Sequence, residues 1–452
     1  MSQPLRIFFS VGEPSGDLHG ANLIRALRSR DESIQCVGYG GPQMQAAGCK
    51  LHFDLTSLAV MWLSRVLANL RQFWRLARNA QAYFRDQRPD AVILIDYPGF
   101  NWHIAKAAKK HGIPVFYYCP PQIWAWASWR VAKMRRYVDH VLCGLPFEET
   151  WLRDRGCRAT FVGHPFFDEV RRRQLDAAFI AQQHTLTRSV SEECSSSPRS
   201  RFGLISASTA TGPTVQPLVT ILPGSRTQEV AHNLHWFLKA ARIVHQQVPA
   251  ARFAIASYNE PQAEMARQQA ALSGLPITVH VGRTPELMHL ATCCMACSGS
   301  VSLELLHHQK PTVVLYYVSR AHFEIGLRLI HVKYITLVNL LASKTPFTKN
   351  PVPYDPLDPR AEQTPFPEYP TYQDKSPQIA THVVQWLTDD AARTQRVAEL
   401  AALKARVCHG GASSVASDYI LRVLARRTHG VPKPHFVRPR TPTLKAAGCD
   451  AK

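Results

Sequence analysis

The chain has 452 residues, 46% of them hydrophobic, which excludes a wholly disordered or collagen-like protein. Its 53 Lys and Arg against 33 Asp and Glu leave a formal charge of +20, pointing to a polyanionic partner: nucleic acid, an anionic membrane surface or phosphorylated substrates. No run approaches the ~18 consecutive apolar residues of a membrane span, and the N-terminus lacks the apolar core of a secretory signal, so a cytoplasmic protein is expected. The 11 cysteines are odd in number and irregularly spaced. Cys294-Met-Ala-Cys297 has no second pair at zinc-ribbon spacing, so buried thiols are expected rather than a metal or redox site.

In chain order, short apolar runs alternate with amphipathic segments, which predicts βαβ units around parallel sheets. A strand over 6–11 leads through a glycine-containing turn to a helix over 17–28. A second strand over 35–37 runs into Gly38-Tyr-Gly40-Gly41, and an apolar strand over 91–95 ends at Asp96. Strands over 115–118, 138–143 and 160–162 complete a first Rossmann-like domain, 1–173. Residues 174–214 are rich in Ser, Thr and Arg without a sustained period and read as a flexible linker or insertion. The alternation restarts with strands over 219–222, 252–257, 278–281, 295–297 and 312–316. With helices over 229–247, 260–273 and 300–307 they predict a second Rossmann-like domain, 215–390, carrying a Pro-rich insertion over 343–369. Helices over 391–427, able to cross back to the first domain, precede a basic tail, 428–452, expected to be disordered. The expected class is α/β, two doubly wound domains facing a central cleft, with ligands outside the carboxyl ends of the strands.

The candidate chemistry lies in those loops. Gly12-Glu-Pro-Ser-Gly-Asp17 follows the first strand, where glycines admit a ligand to the backbone and a helix N-terminus favours an anion. The alternative is a tight turn with Ser15 or Asp17 capping the helix. Asp96, at a strand end, is placed either to take a proton from a hydroxyl nucleophile or to cap the next helix. In Leu222-Pro-Gly-Ser-Arg226, a Gly224-Ser225 backbone, a helix start and the Arg226 fork converge on a phosphate. Ser298-Gly-Ser-Val-Ser-Leu-Glu304 offers Ser298, Gly299 and Ser300 to a phosphate and Glu304 to ribose hydroxyls, or else is a capped helix start.

Over 58–88, Val66, Leu70, Phe73, Ala77, Ala80 and Phe84 fall at helical spacing, and Arg71, Arg75, Arg78 and Arg85 form a basic stripe. The apolar stripe reads as core-facing; the arginines, with Met61, Trp62 and Leu63, read as a membrane contact. Trp124, Trp126 and Trp129 interleave with Arg130, Lys133, Arg135 and Arg136, a pattern that suits bases, sugars or lipids alike. His164, in Gly163-His-Pro165, reads as a structural turn residue.

Taken in order, these motifs resemble the lipid-A-disaccharide synthase family. The resemblance runs through Gly12-Glu-Pro-Ser-Gly-Asp17, Gly38-Tyr-Gly-Gly-Pro-Gln-Met44, Leu58-Ala-Val-Met61 and Ile95-Asp-Tyr-Pro-Gly-Phe-Asn101. It continues in Trp124-Ala-Trp126, Leu145-Pro-Phe-Glu148, Phe161-Val-Gly-His-Pro165, Leu222-Pro-Gly-Ser-Arg226, Ser298-Gly-Ser300, Leu303-Glu304 and Asn339-Leu-Leu-Ala342. It implies a GT-B fold and an inverting hexosyltransferase of lipid A and lipopolysaccharide biosynthesis, peripheral on the cytoplasmic face of the inner membrane. The implied substrates are UDP-2,3-diacylglucosamine and 2,3-diacylglucosamine 1-phosphate, and the products a β-1,6-linked disaccharide 1-phosphate and UDP.

By the same resemblance Asp96 is the general base and Arg226 the catalytic cation. Gly224, Ser225, Ser298, Gly299, Ser300, Glu304, Asn339 and Gln373 fall on the donor side. Gly12, Glu13, Ser15, Gly16, Asp17, Met61, Trp62, Asn101 and Arg130 fall on the acceptor and lipid side, with no metal or other cofactor. The chain departs from the family pattern at Trp62, Gly99 and Ala127 and in the long connection after Ala342. Two other readings stay open: another UDP-sugar enzyme of the same fold, such as a UDP-N-acetylglucosamine 2-epimerase, and a basic nucleic-acid-binding protein. Against the second, the charge is spread over helices and tail rather than gathered in one module, so no nucleic acid is expected. Self-association into a homo-oligomer is left open.

Overall fold

A computed structural model describes residues 4–59, 70–183, 216–299, 301–358 and 361–428. The expectations for Met61, Trp62 and Ser300, for most of 174–214 and for the tail beyond Thr428 lie outside the described residues.

Seven strands form the first sheet: β1 (Arg6–Val11), β2 (Gln35–Gly40), β3 (Lys50–Asp54), β4 (Ala91–Ile95), β5 (Val115–Tyr118), β6 (His140–Cys143) and β7 (Ala159–Phe161). All pair in parallel, in the order β3-β2-β1-β4-β5-β6-β7. Six more form the second: β8 (Leu218–Leu222), β9 (Arg252–Ser257), β10 (Ile277–Val281), β11 (Cys293–Cys297), β12 (Thr312–Tyr317) and β13 (Glu368–Thr371). They too are parallel, in the order β10-β9-β8-β11-β12-β13. Every residue of β4, β8 and β11 is buried, because helices cover both faces of a parallel sheet and leave no solvent side for polar residues.

In each sheet the strand order reverses once, between β1 and β4 and between β8 and β11. Loops leaving the two strands at such a point diverge to opposite faces and open a crevice. The loops after β1 and β4 carry Gly12 and Asp96; those after β8 and β11 carry Arg226 and Ser298. The topology alone therefore places the sequence motifs at two crevices.

The structure departs from the sequence expectation in four places. β3 was not expected; it is an edge strand whose Leu51 and Phe53 are only half-buried, too weak an alternation to read. β13 forms across the end of the segment expected to be loop, 343–369, with Pro370 tolerated because β13 is an edge and pairs only with β12. Residues 177–183, expected to be linker, are helical, with Asp176 pairing Arg283 at 2.6 Å and its N–H donating to Glu286. In the helix Leu70–Gln87, Leu76, Ala80 and Phe84 are buried at i, i+4 and i+8, whereas Leu70 is 50% exposed and leaves the expected core stripe.

The chain crosses between its halves twice, and both crossings are pinned. Arg173 pairs with Glu304 at 2.5 Å, and Arg171 donates to the Cys408 carbonyl at 3.2 Å. The helix Ala412–Thr428 then lies on the helix Pro14–Arg28, far from it in sequence. Asp168 accepts from the N–H groups of Gly411, Ala412 and Ser413, and Arg30 pairs with Asp418. Ala416, Ile420 and Leu424 complete the core of the first sheet, where each large buried aliphatic contributes roughly 1.5–3 kcal/mol.

Candidate active site

Val11 and Ile95 stand opposite one another at the ends of β1 and β4, so their loops emerge together. Asp96 and Tyr97 have φ of 44° and 47°, a left-handed conformation that costs each of them about 1 kcal/mol or more. The turn is held from inside. The Tyr117 hydroxyl donates to the Asp96 carbonyl at 2.6 Å, and Asn101 Nδ2 donates to the same carbonyl at 2.7 Å. Asn101 also reaches the Ile95 and Ser10 carbonyls, and Ser10 Oγ donates to Asn101 Oδ1 at 2.7 Å. Burial raises the Asp96 pKa above the ordinary aspartate value, opposed by the N–H of Tyr97.

Glu13 is the non-helical residue before the helix Pro14–Arg28, and its side chain caps nothing. Its pKa is raised, first by burial and then by Asp96, while Arg226 pulls it down. Glu13 thus lies within electrostatic reach both of Asp96, in the other crevice loop of its sheet, and of Arg226, from the second sheet.

Four other expected contacts become structural. Asp17 is 2% exposed, and its carboxylate accepts from the N–H groups of Gly41, Gln43 and Met44 at 2.9–3.0 Å. It therefore caps the next helix, Pro42–Ala46, rather than a ligand. Asn101 has no exposed surface and positions Asp96 instead of touching acceptor. A Cβ at Gly12 would lie 2.3 Å from the Tyr97 ring, and one at Gly16 2.9 Å from Val11, so both glycines make room for protein. Ser15 remains exposed on the first helical turn.

At the second crevice, Gly224 has φ 133°, and a Cβ there would meet Glu229 Cβ at 2.5 Å. Glu229 accepts from Ser225 N–H at 3.1 Å and Arg226 N–H at 3.2 Å, and pairs with the Arg226 guanidinium at 3.1 Å. The expected phosphate cradle is thus filled by an internal carboxylate at the start of the helix Thr227–Gln247, while the Arg226 side chain is 79% exposed. Glu229 was missed; its signal is the three-residue spacing of a capping box.

Ser298 Oγ donates to the Ile335 carbonyl at 3.4 Å, and Gly299 is exposed. Glu304, expected on ribose hydroxyls, is instead held by Arg173; burial raises its pKa and Arg173 opposes that. Asn339 is fully buried. Its amide donates to the Phe366 carbonyl and to Glu368, both at 2.8 Å, and its carbonyl accepts from Phe366 N–H, which leaves nothing for a donor. Gln373 is exposed just beyond the carboxyl end of β13.

The tryptophan segment divides. Trp124 is buried, with its Nε1–H on Glu148 at 2.9 Å, and burial pushes the Glu148 pKa to about 7. Phe347, from the Pro-rich insertion, packs its ring against Trp124, Phe147 and Trp151 of the first half. The His331 N–H donates to the Ala125 carbonyl at 2.7 Å, a second tie between the halves. Trp126 and Trp129 are exposed, with the Arg130 guanidinium 4.9 Å from the Trp126 ring. On the helix Leu70–Gln87, exposed Arg71, Arg75 and Arg78 neighbour Trp74, itself 64% exposed.

Among the described residues no group of three or more His, Cys, Asp or Glu is placed to hold a metal ion, and no helix is long and apolar enough to cross a membrane. Cys294 and Cys297 are buried, their thiols pushed up to about 12.

A family model described as lipid-A-disaccharide synthetase matches residues 7–190 and 205–350. A lipid-A-disaccharide synthase of Trichlorobacter lovleyi is 35% identical over 76% of this chain and 83% of its own. That of Coxiella burnetii is 31% identical over 90% of this chain and 95% of its own, and that of Myxococcus xanthus 30% over 94% and 99%. Among solved structures, a UDP-N-acetylglucosamine 2-epimerase described as putative, from Listeria monocytogenes, superposes with a TM-score of 0.58 at 10% identity, over 96% of this chain and all of its own. The calicheamicin glycosyltransferase CalG4 does so at 0.51 and 13%, over 94% and 99%. These likenesses show a shared GT-B fold and nothing narrower.

Proposed function

The chain belongs to the lipid-A-disaccharide synthase family and is a hexosyltransferase, and on that premise we propose how its cleft works. The cleft moves a 2,3-diacylglucosamine unit from UDP to the 6-hydroxyl of 2,3-diacylglucosamine 1-phosphate. Asp96 takes the hydroxyl proton, the oxygen attacks the anomeric carbon from the face opposite UDP, and the bond to UDP breaks with its electron pair. The anomeric configuration inverts. Arg226 meets the charge growing on the departing diphosphate, the role a metal ion fills in other transferases.

The observation that carries this reading is that Glu13 lies within electrostatic reach of both Asp96 and Arg226, which come from two different crevices. A desolvated carboxylate is a stronger base than one in water, and an exposed guanidinium at the second crevice suits a leaving anion. In the bound state the diphosphate competes with Glu229 for Arg226 and its loop. The enzyme works at the cytoplasmic face of the inner membrane, where both lipid substrates are reached from a basic surface.

Release of UDP from UDP-2,3-diacylglucosamine, dependent on the acyl sugar 1-phosphate, tests the reading. Asp96→Asn should lower turnover at least a thousandfold with folding intact, and a chelator should leave the rate unchanged. Turnover of soluble UDP-N-acetylglucosamine without acyl acceptor would overturn it, as would full activity in Asp96→Asn.

A further inference from the structure

The helix Arg320–Leu329, which follows β12, carries Phe323, Ile325, Leu327 and Leu329, yet none of its residues is buried. Ile325 and Leu329 are 53% and 47% exposed. An amphipathic helix in a folded protein ordinarily buries its apolar stripe, so this one lacks a covering. Beneath it lies an apolar cavity of about 130 Å³, lined chiefly by Tyr316, Val318, Phe323, Leu327, Ile330 and Val332. The acidic group at its wall, Glu368, has both carboxylate oxygens committed to Ile335 N–H, Thr336 N–H and Asn339.

The cavity adjoins the donor loops. Tyr316 sits near the carboxyl end of β12, the strand beside β11, whose loop begins at Ser298. Ser298 Oγ is hydrogen-bonded to the carbonyl of Ile335, another lining residue. Burial raises the Tyr316 hydroxyl, Cys297 and Glu229 add to this and Arg226 opposes it, so the cavity lies within electrostatic reach of the Arg226 loop.

We propose that this cavity, together with the exposed face of the helix Arg320–Leu329, is an alkyl subsite that receives an acyl chain of the sugar donor. The assignment rests on the donor reading above and adds to it where the chain goes. A cavity of ~150 Å³ lined by aliphatic and aromatic groups stays dry and admits benzene, so this one holds a segment of alkyl chain rather than a whole acyl group. The remainder runs past Ile325 and Leu329. The His331 N–H bond to the Ala125 carbonyl ties the segment just after this helix to the residue before Trp126, an exposed ring of the first half.

Gly326 provides the test. It lines the cavity, and a Cβ there would meet only Ile330 Cδ1, at 3.7 Å, without unfavourable φ. Gly326→Leu therefore fills the space and also favours the helix. In full-length protein, kcat/KM for the long-chain donor should fall at least tenfold. A donor shortened to two-carbon acyl groups, and binding of UDP itself, should change less than twofold. Equal losses for both donors, or no loss for either, overturn the subsite. Loss of vesicle binding with unchanged chain-length selectivity also overturns it, since the helix would then be a membrane contact.

A second measurement is independent of turnover. Wild-type protein should enhance the fluorescence of cis-parinaric acid, and Gly326→Leu should not. No enhancement by wild-type protein overturns the subsite. A wild-type protein that binds the probe but releases no UDP overturns the donor reading while leaving the alkyl site standing.

Discussion

The Tyr117 hydroxyl, on a residue with no exposed surface, donates to the main-chain carbonyl of Asp96 at 2.6 Å and so sets the backbone of a residue that must face the cleft. The bond acts on the carbonyl and leaves the carboxyl free, while Asp96 holds a φ of 44° that only its surroundings maintain. Tyr117→Phe keeps the ring and removes the bond, and Asn101 continues to hold the same carbonyl. We expect kcat to fall about tenfold, the equivalent of ~1.4 kcal/mol, with KM for both substrates unchanged. Steady-state kinetics with a matched thermal melt check this: a KM effect, or a loss explained by unfolding, would contradict positioning.

The pH dependence of turnover follows from burial of the same residue. The base must be ionised, and the Asp96 pKa stands above the ordinary aspartate value. Activity is therefore full above that raised pKa and lost as pH falls through it, earlier than an exposed aspartate would give. A kcat/KM profile should show a single acid limb, absent from the residual rate of Asp96→Asn.

Much of this cleft was legible in the sequence because strand ends announce themselves. A fully apolar run that stops at Asp96, or one that breaks into Pro223-Gly224-Ser225, shows which residues leave the sheet on the same side. What the sequence does not carry is the direction of a polar side chain once the loop closes. Asp17, Asn101 and Asn339 have the residue types of ligand contacts, yet each is spent on backbone groups that would otherwise be buried unpaired. Tyr117 was invisible for the opposite reason: inside an apolar strand it looks like core, and its hydroxyl finds Asp96 only through the pairing of β4 with β5. Of the four edge strands, β7 and β10 were read, while β3 was lost because its alternate residues are exposed and the others only half-buried. β13 lies 51 residues beyond the end of β12, too far for local pattern to connect them.

Stability should rise with pH between about 4.5 and 6.5, although the buried carboxyls oppose this, Glu148 and Glu368 most of all. Burial holds Glu148 and Glu368 at about 7, above their ordinary 4.5, so their contribution is full below 4.5 and lost as pH rises toward 7. Burial holds His19, His140, His164, His308 and His382 at about 3 or 4, below their ordinary 6.5, so their contribution is full above 6.5 and lost as pH falls. In this window the unfolded chain takes up more protons on these histidines than the native chain holds on its buried carboxyls. Glu148→Gln removes one opposing group and should steepen the rise; denaturant melts at pH 5 and 6.5 measure it.

The pair Arg173–Glu304 joins the two halves at the first crossing, with side-chain exposures of 30% and 9%. Removing the arginine leaves Glu304 buried without its partner, which is costlier than losing the pair outright. We expect Arg173→Met to destabilise the protein by about 2 kcal/mol, less than a fully buried pair because Arg173 keeps some solvent. Arg173→Met combined with Glu304→Gln should recover most of that loss. A double-mutant cycle in denaturant reads the coupling directly.

Arg71, Trp74, Arg75 and Arg78 are exposed on the helix Leu70–Gln87, whose Phe73 ring lies 6.3 Å from that of Tyr97, next to the base, and we assign their outward surface to the bilayer. Long-range attraction to an anionic bilayer and insertion of an exposed indole act together, and each is separable by experiment. Replacing the three arginines by glutamine should weaken binding to phosphatidylglycerol vesicles roughly a hundredfold, at ~1 kcal/mol per residue, with most of the difference gone at 0.5 M salt. Trp74→Ala should weaken it by a salt-independent amount. Turnover of a detergent-dispersed donor should stay within twofold in both variants, because side chains that serve access to the lipid phase leave Asp96 and Arg226 untouched. An equal fall in detergent and on vesicles would instead place these arginines in the reaction itself.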